Sequence, residues 1–320
     1  MRVARVSVVT AVTALGLSVA SCERSLPSAP LPAPHAAPDV HGVGAPGSLV
    51  FNSARSGNLD IYVGNPDGSD PRRLTNDPAD DIWPDISPNG RYVAFASLRT
   101  GNREIFVLDL QDGTLTNVSQ SPGDDNWPRW SPNGQEIAFH SNRDGNYNIY
   151  VVNADGSGLR RVTSNALLDQ WPDWSPDGKS IAFRRGFDVY VIDADGEEQN
   201  PVRLTNLPTT IDQMPVWSPN GKQIAFMSLR EGYCSVFLMS ADGDTPDDPA
   251  VNLTPKTPGD ANSAWCSRAP SWSRNGRQIY FQSVRPSTGG DVELFVMNAD
   301  GSGVERLTTS GGEDGGPRMR

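Results

Sequence analysis

Histidine and cysteine each occur only three times in 320 residues, and both scarcities exclude chemistry. His35 and His41 fall in a Pro- and Ala-rich stretch, which leaves His140 alone in the rest of the chain. One histidine cannot build a histidine-rich metal centre. No G-x-S-x-G turn is present to carry a hydrolase serine. The formal charge is −11 and no basic run is visible, so the chain lacks the cations that release counterions from a nucleic-acid backbone. The apolar run from Val6 to Ala20 is shorter than the roughly twenty residues of a membrane-spanning helix. No catalytic residue, metal or cofactor is expected, and nucleic acid is not an expected partner.

What is present begins with the N-terminal run. Arg2 and Arg5 precede the apolar stretch, and a small-residue site ends at Cys22, the pattern of an export leader over residues 1–21. The ending "VASC" resembles a bacterial lipobox, which implies lipidation of Cys22. Residues 22–47 are rich in Pro, Ala and Gly with no hydrophobic period, and read as a semi-extended tether.

Beyond the tether one decapeptide recurs: "WSPNGQEIAF" from Trp130, "WSPDGKSIAF" from Trp174 and "WSPNGKQIAF" from Trp217, with looser copies from Ile86 and Trp272. Its serine stands at 87, 131, 175, 218 and 273, in steps of 44, 44, 43 and 55 residues. A period in the low forties made of short β-branched and aromatic runs is the signature of a propeller blade. "SPNG" suits a type I turn closed by a left-handed glycine, and the Asp-Gly pairs of "NPDG", "NADG" and "DADG" supply a second hairpin. The first copy lacks its opening strand, while the C-terminal "GPRMR" matches "WPRW". The expectation over residues 48–320 is therefore an all-β six-bladed β-propeller of four-stranded antiparallel blades. The C-terminal strand pairs with the N-terminal blade and closes the ring, which removes an exposed edge.

The repeat "WSPDGxxIAF…IYVxNxDG…LT" resembles the propeller of the TolB-like family. The resemblance covers the propeller alone, because Cys22 to Gly47 is too short for the α/β domain that precedes it in TolB. It implies a non-catalytic scaffold whose top face engages another envelope protein or lipoprotein, as the TolB propeller engages the peptidoglycan-associated lipoprotein.

Candidate binding residues lie in the loops between blades and between second and third strands, which share the top face. Three residues before each blade's proline stand Asp81, Asp125, Asp169, Asp212, Ser267 and Asp314. The other top loops carry Arg55, Arg99, Arg143, Arg230 and Arg285, while blade 4 has a shortened loop with Arg184 and Arg185. Either each Asp pairs with an Arg and fixes the loops, or some carboxylates stand open to a cation or a partner's basic groups. The residue just before the proline is Trp83, Trp127 and Trp171 in three blades, then Met214, Ala269 and Gly316. Those tryptophans are either packing between blades or a recognition patch, given tryptophan's weight in binding. Trp130, Trp174, Trp217 and Trp272 read as packing between blades, and His140 as structural.

Lipidation of Cys22 would leave Cys234 and Cys266, both placed on the top face beside blade 5, as a disulfide pair or as two buried thiols. The functional expectation is a monomeric protein, anchored by lipid to the bacterial envelope and facing the periplasm from the outer membrane if there are two membranes. It binds an envelope protein and is not an enzyme. The alternative is a carbohydrate-binding or carbohydrate-active propeller that uses the tryptophan patch and the top carboxylates.

Overall fold

The computed structural model describes residues 47–195, 200–256 and 265–319. The leader, Cys22 and the tether as far as residue 46 lie outside the described residues. The strands fall into six four-stranded antiparallel sheets. Blade 2 is β4 (Asp81–Ile86), β5 (Tyr92–Ser97), β6 (Glu104–Asp109) and β7 (Leu115–Asn117). Blade 3 is β8 (Asp125–Trp130), β9 (Glu136–Ser141), β10 (Asn148–Asn153) and β11 (Arg160–Arg161). Blade 4 is β12 (Asp169–Trp174), β13 (Ser180–Arg185), β14 (Asp188–Asp193) and β15 (Val202–Arg203). Blade 5 is β16 (Asp212–Trp217), β17 (Gln223–Ser228), β18 (Ser235–Ser240) and β19 (Val251–Asn252). Blade 6 is β20 (Cys266–Trp272), β21 (Gln278–Val284), β22 (Glu293–Asn298) and β23 (Glu305–Arg306). Blade 1 combines both ends of the fold: β1 (Leu49–Ser53), β2 (Asp60–Gly64) and β3 (Arg72–Arg73) pair in order, and β24 (Asp314–Met319) adds to β1. The expected composite blade is therefore present.

The first strands β4, β8, β12, β16, β20 and β24 touch one another in cyclic order, so they surround the axis. Six apolar cores lie between adjacent blades. One joins Val50, Ile61 and Val63 of blade 1 to Ile86, Val93 and Phe95 of blade 2, and another joins Phe51 and Tyr62 to Tyr280, Leu294 and Val296 of blade 6. The copied "IAF" supplies its Ile and Phe to one interface and its Ala to the other, because successive strand residues point to opposite faces.

The repeated "LT" ending has an equally local reason. Where the short fourth strand leaves the sheet, the N–H at the second position of the third strand would lose its partner. A hydroxyl accepts it instead: Ile61 N donates to Thr75 Oγ1, Ile149 N to Thr163 Oγ1 and Leu294 N to Thr308 Oγ1, at 2.9, 3.0 and 3.0 Å.

Cys234 and Cys266 form a disulfide, with Cα atoms 4.4 Å apart and a sequence separation of 32. Replacing both with alanine is expected to lower unfolding stability by about 3–4 kcal/mol on the chain-entropy account. A denaturant titration checks this, and an unchanged midpoint would show that the bond restrains nothing the fold does not already hold.

Candidate functional site

Each first strand carries a bulge at the residue before its proline. Trp83, Trp127, Trp171, Met214, Ala269 and Gly316 have φ values of 55, 59, 54, 56, 54 and 59°, in the left-handed region that L-residues avoid. The register slips there in every blade, as between Ile82 and Asp85 or Gln170 and Asp173. The bulge turns the side chain toward the axis, where Trp127, Met214 and Ala269 pack together with Trp83 and Trp171. Ring centroids are 4.3 Å apart for Trp83 and Trp127, and 6.4 Å for Trp127 and Trp171. The small residues face the large ones: a Cβ on Gly316 would lie 3.0 Å from Trp83 Cε3. The three tryptophans therefore fill the channel that the other blades leave open. Trp127 is only 2% exposed. Of the two readings of these tryptophans, the recognition patch does not hold for Trp127, whose side chain the bulge packs on the axis among its counterparts from other blades.

At the upper end, toward the interblade loops, the predicted carboxylates are fully buried. Asp81 accepts from Arg99, Asp125 from Arg143, Asp212 from Arg230 and Asp314 from Arg55, at 2.8, 2.9, 3.1 and 2.9 Å. In blade 4 the partner of Asp169 is Arg185, whose Nε and Nη2 each reach a carboxylate oxygen at 2.9 Å. Every pair lies within one blade. Each guanidinium also covers two rings of that blade: Arg99 lies 5.5 and 4.9 Å from the Phe95 and Phe106 centroids, and Arg230 lies 5.3 and 4.6 Å from Phe226 and Phe237. In blade 6 Ser267 replaces the aspartate and bonds Ser283 Oγ at 2.9 Å, while Arg285 stacks on Trp265, Phe281 and Phe295. Of the two readings of these carboxylates, pairing with arginine is the one the structure shows, and carboxylates open at the channel mouth is the one it does not: these residues begin the first strands and are sealed under their arginines. Burial pushes Asp81 above the usual carboxylate range against the charge of Arg99. Burial also pushes Asp125 up to about 6, against hydrogen bonds from Ser141 and the charge of Arg143.

His140 is structural, and its role is repeated by other residue types. Trp171 N donates to His140 Nδ1 at 3.3 Å, as Trp83 N does to Asn52 Oδ1 at 3.3 Å and Gly316 N to Gln282 Oε1 at 2.8 Å. Each acceptor satisfies an amide that the bulge takes out of the ladder. Burial, with help from Arg129, lowers His140 to about 3 and keeps its ring neutral.

Two features remain outside these repeated contacts. The first is on the upper face at blade 4, where Leu167, Leu168, Phe187 and Leu207 are exposed. They form one patch because the shortened loop sits between its neighbours: Gly186 N donates to Leu168 O at 3.1 Å, and Asp212 N donates to Phe187 O at 2.8 Å. In blades 2 and 3 a longer loop carries an asparagine that bonds these interblade carbonyls, as Asn102 Nδ2 does to Gly123 O at 2.7 Å. Blade 4 has lost that loop and presents apolar side chains in its place.

The second is a cavity of about 310 Å³ at the lower end of the channel, on the side of the "SPNG" turns. Its wall carries the residue after each proline: Asp85, Arg129, Asp173, Val216, Ser271 and Arg318. The sequence reading passed over this position, although it varies in charge between an otherwise repeated proline and tryptophan. Trp130, Trp174 and Trp272 close the wall by donating Nε1 to the carbonyls of Asp85, Arg129 and Val216 in the preceding blade, at 3.1, 3.1 and 3.3 Å. Among the described residues, no group of three or more metal-ligating side chains could hold a metal ion.

The neutral His140 makes a prediction about acid. Its folded pKa of about 3 lies below the unfolded value of 6.5, so its contribution to stability is complete above pH 6.5 and is lost as pH falls toward 3. At pH 4.5 that loss is about 2–3 kcal/mol. Asp125 acts in the opposite sense, favouring the fold as it takes up a proton below pH 6. Since Gln282 performs the same task in blade 6, His140→Gln is expected to fold and to be less acid-sensitive between pH 6.5 and 4 than the parent. Parallel stability curves for the two proteins over that range would count against a neutral buried imidazole.

Residues 82–188, which run from blade 2 through blade 3 and into the first half of blade 4, match the TolB beta propeller domain, PD40. The structure is similar to TolB from Acinetobacter baumannii, with a TM-score of 0.68 and 21% identity over 85% of this chain and 66% of that one. It is also similar to a putative TolB from Agrobacterium tumefaciens, with a TM-score of 0.63 and 25% identity over 82% of this chain and 88% of that one. The chain thus spans about two thirds of the length of the Acinetobacter protein. An oligogalacturonate lyase in complex with manganese shares the fold at a TM-score of 0.54 and 16% identity, over 83% of this chain and 75% of that one. No curated protein matches the sequence. The matched blades, the six-sheet ring and the closure by β24 together make this chain a TolB-like six-bladed β-propeller.

Proposed function

We propose that this propeller is a non-catalytic scaffold, exported and anchored by lipid at Cys22 to the bacterial envelope, which engages another protein through its upper face at blade 4. The observation that carries the binding surface is the exposed set Leu167, Leu168, Phe187 and Leu207 on three adjoining loops. Apolar side chains that a monomer leaves contiguous and exposed commonly mark a protein interface. The patch sits where the repeat breaks, and a scaffold shared by six blades has to place recognition in what differs between them. Export and anchoring are supported by the leader, with Arg2, Arg5 and the apolar run ending at "VASC".

A non-catalytic reading is supported by the role of His140, the one histidine among the described residues, which is held neutral as an acceptor. The glycan alternative drew on an exposed tryptophan patch and open carboxylates. With Trp127 buried in the channel and the aspartates sealed by arginine, no observation favours it.

A photocrosslinking amino acid at position 187 of the full chain, expressed in a bacterial host with its own leader, is expected to give one discrete protein adduct. The same group at exposed Val251 on the outer edge of blade 5 should give none. Equal, diffuse labelling from both sites would remove the case for blade 4. Separately, Cys22→Ser is expected to move the protein from the membrane to the soluble fraction of lysed cells. Retention on the membrane would exclude the lipid at this residue.

A further inference from the structure

The lower cavity is lined by a guanidinium that no described residue bonds. Of the six residues that follow the prolines, the polar ones are mostly committed to the wall. Asp85 Oδ2 accepts from Trp130 N at 2.7 Å and Asp173 Oδ2 from Trp217 N at 2.9 Å, each across a blade boundary. Arg129 Nη1 donates to Pro128 O at 2.8 Å, its Nε lies 3.5 Å from Asp173 Oδ1, and its guanidinium covers the Trp127 ring at 4.8 Å. Ser271 Oγ accepts from Met319 N at 3.3 Å.

Arg318 is the exception. It is 6% exposed and lines the cavity, yet among the described residues its guanidinium has neither a hydrogen-bond acceptor nor a carboxylate partner. A guanidinium with so little of its residue exposed is usually hydrogen-bonded within the protein, whereas the donors of this one are left to whatever the cavity holds. An arginine presents a planar fork of donors that matches a carboxylate in a bidentate way.

We propose that the lower end of the channel is a binding site for a small monocarboxylate, to which the Arg318 guanidinium donates. Three features of the cavity define the ligand. Its volume of about 310 Å³ is at the small end of ligand pockets, which excludes a folded partner and suits a molecule with one ring. Trp174, Trp217, Pro176 and Pro219 line one side of the cavity with apolar surface, so the body of the ligand is flat and apolar. Asp85 and Asp173 stand in the same ring as Arg318 and repel a second acid group, so the site selects one negative charge over two. The axial tryptophans close the channel above it, which makes the site a blind pocket entered from the "SPNG" side. It is separate from the blade 4 patch and does not depend on that reading.

The test uses the full-length chain with benzoate as probe, benzamide as its neutral counterpart and phthalate as its dianion. Binding is read by tryptophan fluorescence and by calorimetry in a buffer free of carboxylates. Benzoate is expected to bind at least tenfold more tightly than either control. Arg318→Gln is expected to weaken benzoate at least tenfold while leaving the thermal midpoint of the ligand-free protein unchanged or higher. Equal binding of benzoate and benzamide, or benzoate binding unaffected by Arg318→Gln, would overturn the proposal. A marked loss of thermal stability in ligand-free Arg318→Gln would overturn it too, because it would show a guanidinium already paired within the protein. Binding of an acidic peptide but not benzoate, abolished by the same substitution, would replace the small-molecule site with a peptide site.

Discussion

Everything at the axis of this propeller follows from one backbone constraint, the left-handed residue that precedes each proline. The proline fixes its own φ and cannot donate to the ladder, so the inner strand has to leave its register there. In five blades the residue that takes up the bulge carries a side chain, which costs about 1–2 kcal/mol for each left-handed φ. That strain is held because the side chain so displaced finds its partners on the axis. Three indoles, a thioether and a methyl group meet there, with a glycine completing the circle. Volume is complementary around the ring rather than equal in each blade. The same displacement frees one amide in each bulge, and Asn52, His140 and Gln282 are three chemically different answers to it.

The buried Asp–Arg pairs obey a second constraint of the same kind. A carboxylate at the head of each inner strand is far from water, and its arginine is held flat by two aromatic rings of the same blade. Such an assembly is costly to break at one member, because the other charge would be left in the interior. This explains why it is copied almost without change, and equally why it carries little individuality. What distinguishes one blade from another lies elsewhere, in the shortened loop of blade 4 and in the residues that follow the prolines.

Much of this was legible in the sequence. Blade number, hairpin turns, the composite blade and the association of each Asp with an Arg follow from a period of about 44 residues and from turn chemistry. The direction in which Trp127 points was not legible, because the repeat gives no sign of the bulge that turns it to the axis. The depth of Asp81 and its counterparts was missed for a related reason. They read as loop residues near a mouth, whereas they are the first residues of strands, already under their arginines. The lower cavity was hidden because it is assembled from one residue of each of six distant segments. Only the alternation of charge at Asp85, Arg129, Asp173 and Arg318 hinted at a shared environment.

The seam between β1 and β24 has a consequence for the order of assembly. It pairs Val50 with Arg318, roughly 270 residues apart, so it is the contact of highest sequence separation in the ring. Closing a chain segment of that length costs about 5 kcal/mol in loop entropy, compared with far less for any hairpin inside a blade. Five blades can form locally, but Arg318 reaches the channel wall only when the circle is joined. The lower cavity is therefore complete only while the ring is closed, and an anion held there would act as a latch on that seam, slowing its opening.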